Sequence, residues 1–283
     1  MADTILDRIV SDVRRRLDST PEEPKLEEVA HEAVEARRNA GLRSLEGALS
    51  SPGPALIAEC KKASPSAGVI RANFEAAALA SAYAAGGAAA ISVVTEPGFF
   101  QGDPRWLVEV RRAVDVPVLR KDFIVTRRQL FETAVLGADA VLLIARILEE
   151  ETLAELLQLA GELELEVLLE IFADEDPAAA VASGAAILGV NARNLATFEL
   201  CLDRVKSIAT ELPADRVRVA ESGIRGPDDV ESLLQAGYDG FLVGEHLVRA
   251  EDPEAAVREL VGLGHGDPAS SEGFAGTGGD GHG

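Results

Sequence analysis

From residue 55 onward, eight short apolar runs alternate with amphipathic helical patterns, and this alternation most narrows the fold. The runs are Ala55–Lys62, Ala89–Glu96, Val116–Phe123, Ala140–Ile147, Glu166–Phe172, Ile187–Asn194, Arg216–Gly223 and Gly240–Leu247. Each is nearly continuous in apolar residues, as parallel strands buried on both faces require. The helices between them have legible ends. Asp103-Pro104 reads as an N-cap followed by Pro at the first helical position, and Gly226-Pro227 places Pro the same way. Leu153, Leu156, Leu157, Ala160 and Leu163 form one apolar stripe at helical spacing. Glycine-bearing joints recur at Gly86-Gly87, Gly137, Gly184 and Gly237, spaced 51, 47 and 53 residues apart from Gly86 on. Glycine suits the residue after a helix, which often needs a left-handed backbone. Eight strands in β/α order predict an α/β fold, a closed (β/α)8 TIM barrel. The competing arrangement is an open doubly wound sheet, but no G-x-G-x-x-G follows the first run.

Residues 1–54 lie outside this alternation. Ile5, Leu6, Ile9, Val10, Val13 and Leu17 make one helical stripe, and Leu42, Leu45 and Leu49 predict a second, short helix. The expected organisation is a helical extension (1–54) packed on the barrel, a barrel over 55–262, and a Gly/Ser-rich disordered tail over 263–283.

Asp and Glu number 48 against 27 Lys and Arg, a net charge of −21. Phosphate neutralisation needs clustered cations, so nucleic acid is excluded as a partner, and anionic lipid with it. Only five of the cations are lysine (Lys25, Lys61, Lys62, Lys121 and Lys206). An acidic, Lys-poor surface points to a salt-rich cytoplasm, where excess carboxylates keep a protein soluble. Cys60 and Cys201 cannot build a disulfide framework or a Cys-based metal site, which fits a reducing cytosol. The first residues carry acids and no apolar core, unlike a signal peptide. The uncharged stretch Ala76–Thr95 has the length of a membrane span, but Gly86-Gly87 and a β-branched end read as helix, stop and buried strand. No apolar stripe beyond the first helix asks for a partner, so a monomer is expected.

In such a barrel the active site lies at the C-terminal ends of the strands, so polar residues late in the runs carry the chemistry. Glu59 and Lys61 are two apart and share the inward face of Ile57. Lys121, Glu170, Asn191, Arg193 and Glu221 end other runs. Charges crowded at one mouth shift one another: a Glu among acids rises, and a Lys in a dry pocket falls toward neutrality. The loops after strands seven and eight commonly bind phosphate, here Ser222-Gly223 and Gly244-Glu245. A non-catalytic barrel serving as a scaffold would carry the same ring as a structural network.

The segments Ile57-Ala58-Glu59-Cys60-Lys61-Lys62-Ala63-Ser64-Pro65-Ser66, Thr95-Glu96-Pro97-Gly98-Phe99-Phe100-Gln101-Gly102, Leu119-Arg120-Lys121-Asp122-Phe123-Ile124, Gly189-Val190-Asn191-Ala192-Arg193-Asn194-Leu195 and Ala220-Glu221-Ser222-Gly223-Ile224 resemble, in order and spacing, the indole-3-glycerol phosphate synthases. The resemblance covers roughly residues 1–262. It implies decarboxylating ring closure and dehydration of 1-(2-carboxyphenylamino)-1-deoxyribulose 5-phosphate in tryptophan synthesis, with no metal and no organic cofactor. It implies Lys121 as general acid on the ketone oxygen, Glu170 as its acid/base partner, and Lys61, paired with Glu59, near the phosphate and as a second acid. It implies Asn191 and Glu221 holding hydroxyls and orienting the lysines. Arg193 and Ser64 would flank the anthranilate part, with Pro65, Phe100, Phe123, Leu142 and Leu195 as its apolar slot. Lys61, Ser222, Gly223, Gly244 and Glu245 would hold the phosphate, Glu245 through its backbone alone because a carboxylate repels that ligand. Cys60, by its parity, points outward into packing. The isomerase of the same pathway, phosphoribosylanthranilate isomerase, would need a Cys/Asp acid–base pair that these strand ends do not offer.

Overall fold

The computed structural model describes residues 4–19, 24–194 and 198–262. Three helices come first: α1 (Ile5–Ser19), α2 (Leu26–Asn39) and α3 (Leu45–Leu49). β1 (Ala55–Cys60) opens the barrel and leads into a small hairpin, β2 (Ala63–Ser64) with β3 (Gly68–Val69). Then α4 (Ala76–Ala85), β4 (Ala90–Val94), α5 (Pro104–Ala113), β5 (Val118–Lys121), α6 (Arg127–Val135), β6 (Ala140–Ile144), α7 (Glu150–Glu162) and β7 (Glu166–Phe172) alternate. α8 (Ala178–Ala182), β8 (Ile187–Asn191), α9 (Leu202–Ile208), β9 (Val217–Glu221), α10 (Pro227–Ala236), β10 (Gly240–Val243), α11 (Glu245–Arg249) and α12 (Pro253–Leu260) complete the chain as described. β1 and β4 to β10 pair in parallel into a closed barrel, β1 meeting both β4 and β10. No helix among the described residues is long and apolar enough to cross a membrane.

The period-two alternation of strands divides the core in two. Ile57, Leu119, Leu142, Leu168, Val219 and Leu242 point into the barrel. Their neighbours Leu56, Ala58, Val118, Val141, Leu169, Ala220 and Phe241 face outward, under the helices. Cys60 belongs to this outer layer, as its parity predicts, and its thiol lies 3.8 Å from the Ala76 carbonyl. The inner cluster also holds Leu6, Ile9 and Val13 of α1, and Leu45 and Leu49 of α3. Leu49 lies against the first residue of β10, and Ser44 and the Glu46 amide donate to Glu166 at the start of β7. α3 therefore closes the N-terminal end of the barrel, while α1 crosses the other end.

Two helical caps fall where the sequence puts them. Asp103 accepts from the Arg105 amide, and Pro104 and Pro227 open α5 and α10. The apolar runs overshoot most strands at the C-terminal end. The run to Leu247 stops as strand at Val243 and enters α11, and the run to Ile147 ends in a 3-10 turn over Ala145–Ile147. Leu42 lies outside α3 and is exposed. In the first joint the left-handed residue is Gly87 and not Gly86. α2 has no counterpart in the patterning because, among its described side chains, only Val29, Ala33 and Arg37 are buried. Residues 263–283, expected as a disordered tail, lie outside the described residues.

Arg37 fastens α2 to the barrel. Its buried guanidinium donates to the carbonyls of Leu163 (2.8 Å), Ala138 (2.7 Å) and Glu164 (2.5 Å). Arg37→Met keeps the apolar stem and leaves these carbonyls without their donor. It should cost about 2 kcal/mol and lower the thermal midpoint by roughly 5 °C. An unchanged melting curve would refute the fastening.

Candidate active site

Glu59 on β1 and Lys61, the residue just past its end, form an ion pair. Glu59 is buried, and the Lys61 side chain is 17% exposed. A Cβ at Gly244 would collide with the Glu59 carboxylate and stand 2.9 Å from Lys61 Nζ. Glycine there lets the end of β10 approach the pair. Lys121 reaches inward from β5, with Nζ 2.9 Å from Glu170 Oε2 and 3.5 Å from Glu221 Oε2. Gly189 of β8 pairs with Glu170 and Val219 in the ladder, and a Cβ on it would collide with the Glu221 carboxylate. That missing side chain leaves room for two carboxylates around one ammonium.

The electrostatics follow from this packing. Burial alone would lower the Lys121 pKa, but the charges of Glu170, Glu221 and Glu59 outweigh it and push it up. The expectation that this lysine falls toward neutrality is therefore corrected: three carboxylates hold its proton in place. Burial and the neighbouring Glu170 charge push Glu221 well above the ordinary carboxylate value. Among the described residues, neither Glu221 oxygen has a hydrogen-bond partner. Glu59 goes the other way, because Lys61 and Lys121 overcome its burial.

The rest of the predicted site lines the same cavity: Ser64, Pro65, Phe100, Phe123, Leu142, Asn191, Arg193, Ser222, Gly223, Gly244 and Glu245. Leu195 lies outside the described residues. Phe100 and Phe123 face each other with ring centroids 6.0 Å apart, tilted by 39°. Asn191 Oδ1 accepts from the Arg193 amide at 3.0 Å, which turns the chain at the end of β8. Ser64 Oγ accepts from the Ala67 amide, closing the hairpin beside Pro65. Ser222 and Gly223 are both left-handed, with φ of 67° and 82°.

Asp122 shows how Lys121 and Phe123 are aimed. It accepts from Thr95 Oγ1 (2.5 Å), Arg120 Nη2 (3.0 Å) and the Phe123 amide (2.8 Å). Arg120 also reaches Thr133 Oγ1 and the Gln129 carbonyl, so the end of β5 is tied to α6. Sequence reasoning missed the part of the wall that comes from α1, where Ile5 and Ile9 line the cavity. Their spacing of four is visible, but nothing local says where the helix docks. It also missed His246, the residue after Glu245.

Cys60 is absent from this cavity, and burial and the Glu59 charge push its thiol up, so it offers no acid–base cysteine for an isomerase. The family model described as indole-3-glycerol phosphate synthase matches residues 6–260. The chain is 44% identical to indole-3-glycerol phosphate synthase 1 of Streptomyces coelicolor, over 92% of this chain and 96% of that protein. It is 48% identical to the indole-3-glycerol phosphate synthase of Sulfurimonas denitrificans, over 72% of this chain and 78% of that protein. Among solved structures, 3-hexulose-6-phosphate synthase from Salmonella typhimurium superposes with a TM-score of 0.60 at 17% identity, covering 74% of this chain and 98% of that one. That likeness speaks for the barrel alone. By the family match over residues 6–260 and by these relatives, the chain belongs to the indole-3-glycerol phosphate synthase family.

Proposed function

We propose that the ring at the barrel mouth carries out the family's decarboxylating ring closure with Lys121 as general acid. The observation that supports this most is an ammonium held protonated among Glu170, Glu221 and Glu59 on the floor of an aromatic-walled cavity. In the first step the aryl carbon bearing the carboxylate attacks the ketone carbon, and Lys121 gives its proton to the ketone oxygen. Carbon dioxide then leaves, and its bonding pair restores the aromatic ring. In the second step the new hydroxyl departs as water with a proton from an acid, and a base removes the proton that closes the pyrrole double bond. Glu170, in contact with Lys121, serves as acid/base partner, and Lys61 supplies a second ammonium next to Glu59. Asn191 and Glu221 hold hydroxyls and orient the lysines. Phe100, Phe123, Pro65 and Leu142 sandwich the aryl part, with Ser64 and Arg193 at its carboxylate. Alignment of aryl carbon and ketone in a dry slot supplies part of the rate. Lys61 and the backbone at Ser222, Gly223, Gly244 and Glu245 take the phosphate.

Lys121→Met should abolish indole fluorescence formed from the carboxyphenylamino substrate, a loss of about a hundredfold or more, with the circular dichroism spectrum retained. Parental turnover in that variant would overturn the assignment and favour a scaffold.

Glu221 gives a pH test. Its folded pKa is raised, so the folded chain holds a proton that the unfolded chain releases. Its contribution to stability is present at low pH and lost as pH rises through the folded value. Glu221→Gln cannot ionise. Its thermal midpoint should gain on the parent's progressively as pH rises above the ordinary carboxylate range, about pH 5, toward the raised folded value. A difference that stays constant with pH would count against the raised proton affinity.

The same reading makes the protein a cytoplasmic monomer of a salt-rich cell. The net charge of −21 supports the salt, and the exposed large apolar residues are spread over α2, the loop after it, β3 and α10. The thermal midpoint should climb from dilute to molar KCl as screening relieves repulsion among the carboxylates. A flat curve would remove the halophilic part.

A further inference from the structure

Glu96 is a buried carboxylate that the proposed reaction does not use. It lies just past β4, and its oxygens collect four donors. Oε1 accepts from the Gly98 amide at 2.8 Å and from Arg16 Nη2 at 2.7 Å. Oε2 accepts from the Phe99 amide at 2.7 Å and the Phe100 amide at 3.1 Å. The Glu96 carbonyl takes the Gly102 amide at 2.8 Å, which closes the loop. Three successive amides of the loop that presents Phe100 thus converge on one side chain.

The fourth donor comes from α1. Arg16 Nε also lies 3.3 Å from Asp12 Oδ2, one turn earlier on that helix. A Cβ on Gly98 would stand 3.1 Å from Glu96 Oε1 and 3.2 Å from Asp12 Oδ2, so loop and helix are in close contact. Both partners end in the cavity wall. The loop delivers Phe100 opposite Phe123, and α1 delivers Ile5 and Ile9.

We propose that Glu96 and Arg16 form a clasp that positions the aryl slot, holding Phe100 and the α1 wall at the spacing the substrate's ring needs. This rests on reading Phe100 as a wall of that slot. Neither residue lines the cavity. Both are positioning residues that act through Phe100 and α1. A buried carboxylate with four donors is fully engaged, so the loop has one arrangement. Removing Arg16 takes away the charged donor, frees α1 from the loop, and leaves Glu96 short of a counter-charge.

The test is steady-state kinetics on the full chain with the carboxyphenylamino substrate, for Arg16→Ala, Arg16→Lys, Phe100→Ala and the double variant Arg16→Ala/Phe100→Ala. Thermal melts are recorded beside each. Arg16→Ala should raise KM about tenfold while kcat stays within about twofold, the pattern of lost ground-state positioning. Arg16→Lys keeps the charge and should recover most of the affinity. With Phe100 already replaced, Arg16→Ala should raise KM clearly less than it does in the parent, because the Phe100 part of the slot is already lost and only the α1 wall remains to be loosened. The clasp is overturned if Arg16→Ala lowers the melting temperature without moving KM, or if the two KM effects multiply independently. If Phe100→Ala itself leaves KM unchanged, the slot reading falls and takes the clasp with it. If Phe100→Ala raises KM and Arg16→Ala does not, the clasp alone falls.

Discussion

Eight strands closed on themselves force every second side chain into a space with two ends and no open sides. Everything else in this molecule responds to that constraint. Small and branched side chains such as Ile57, Ala90, Leu119, Ala140 and Val219 fill the interior. The ends must be covered or used. α3 covers the end where the strands begin, pressing Leu45 and Leu49 into the interior cluster. The other end is left for chemistry, and α1 leans across part of it. Both coverings come from the segment before β1, so that extension finishes the barrel's core as well as one wall of its mouth.

Charge inside this mouth is stable only because it is shared. An isolated buried carboxylate would protonate, and an isolated buried ammonium would lose its proton. Here Lys121 stands between Glu170 and Glu221, and Lys61 is paired with Glu59. The arrangement still leaves one member poorly satisfied. Both Glu221 oxygens are buried without a hydrogen bond among the described residues, and its proton affinity is raised. A buried carboxyl in need of donors suits the role proposed for it, holding hydroxyls of the substrate. Glycines at 189 and 244 set the distances, since any side chain there would displace Glu221 or Glu59.

The barrel was legible in the sequence because its signals are local. Apolar runs, Pro and Asp at helix starts, and glycines at helix ends each speak within a few residues. The strand-end polar residues were legible for a related reason: a charge at the end of an apolar run has only the mouth to go to. What the sequence hid was long-range or polar. Among its described side chains α2 buries only Val29, Ala33 and Arg37, and Arg37 works by donating to backbone carbonyls, which no side-chain pattern records. Ile5 and Ile9 form a visible stripe whose docking partner is more than fifty residues away. The upward shift of Lys121 was misread because proximity to three carboxylates depends on β7 and β9 flanking Gly189, a fact of register and not of composition. Strand ends overshot because apolar residues such as Leu247 also serve the first turn of the following helix.

The division of labour between the cations follows from the same alternation. Arg120 and Lys121 are consecutive on β5 and so point to opposite faces. Arg120 points outward, where its fork satisfies Thr95, Gln129, Thr133 and Asp122 at once. A lysine could not span those four partners, and an arginine in place of Lys121 would keep its charge but could not serve as the proposed general acid. A chain with 22 arginines and five lysines has used arginine wherever a fixed, many-armed donor suffices. Lys61 and Lys121 stand at the two strand ends where a compact ammonium meets a carboxylate inside the mouth. Under a net charge of −21 these cations oppose the field of the whole surface, so binding a substrate with a carboxylate and a phosphate depends on local placement alone. That dependence is the physical reason the mouth must be held rigid, and why a half-buried Arg–Glu contact outside the cavity can matter to what happens within it.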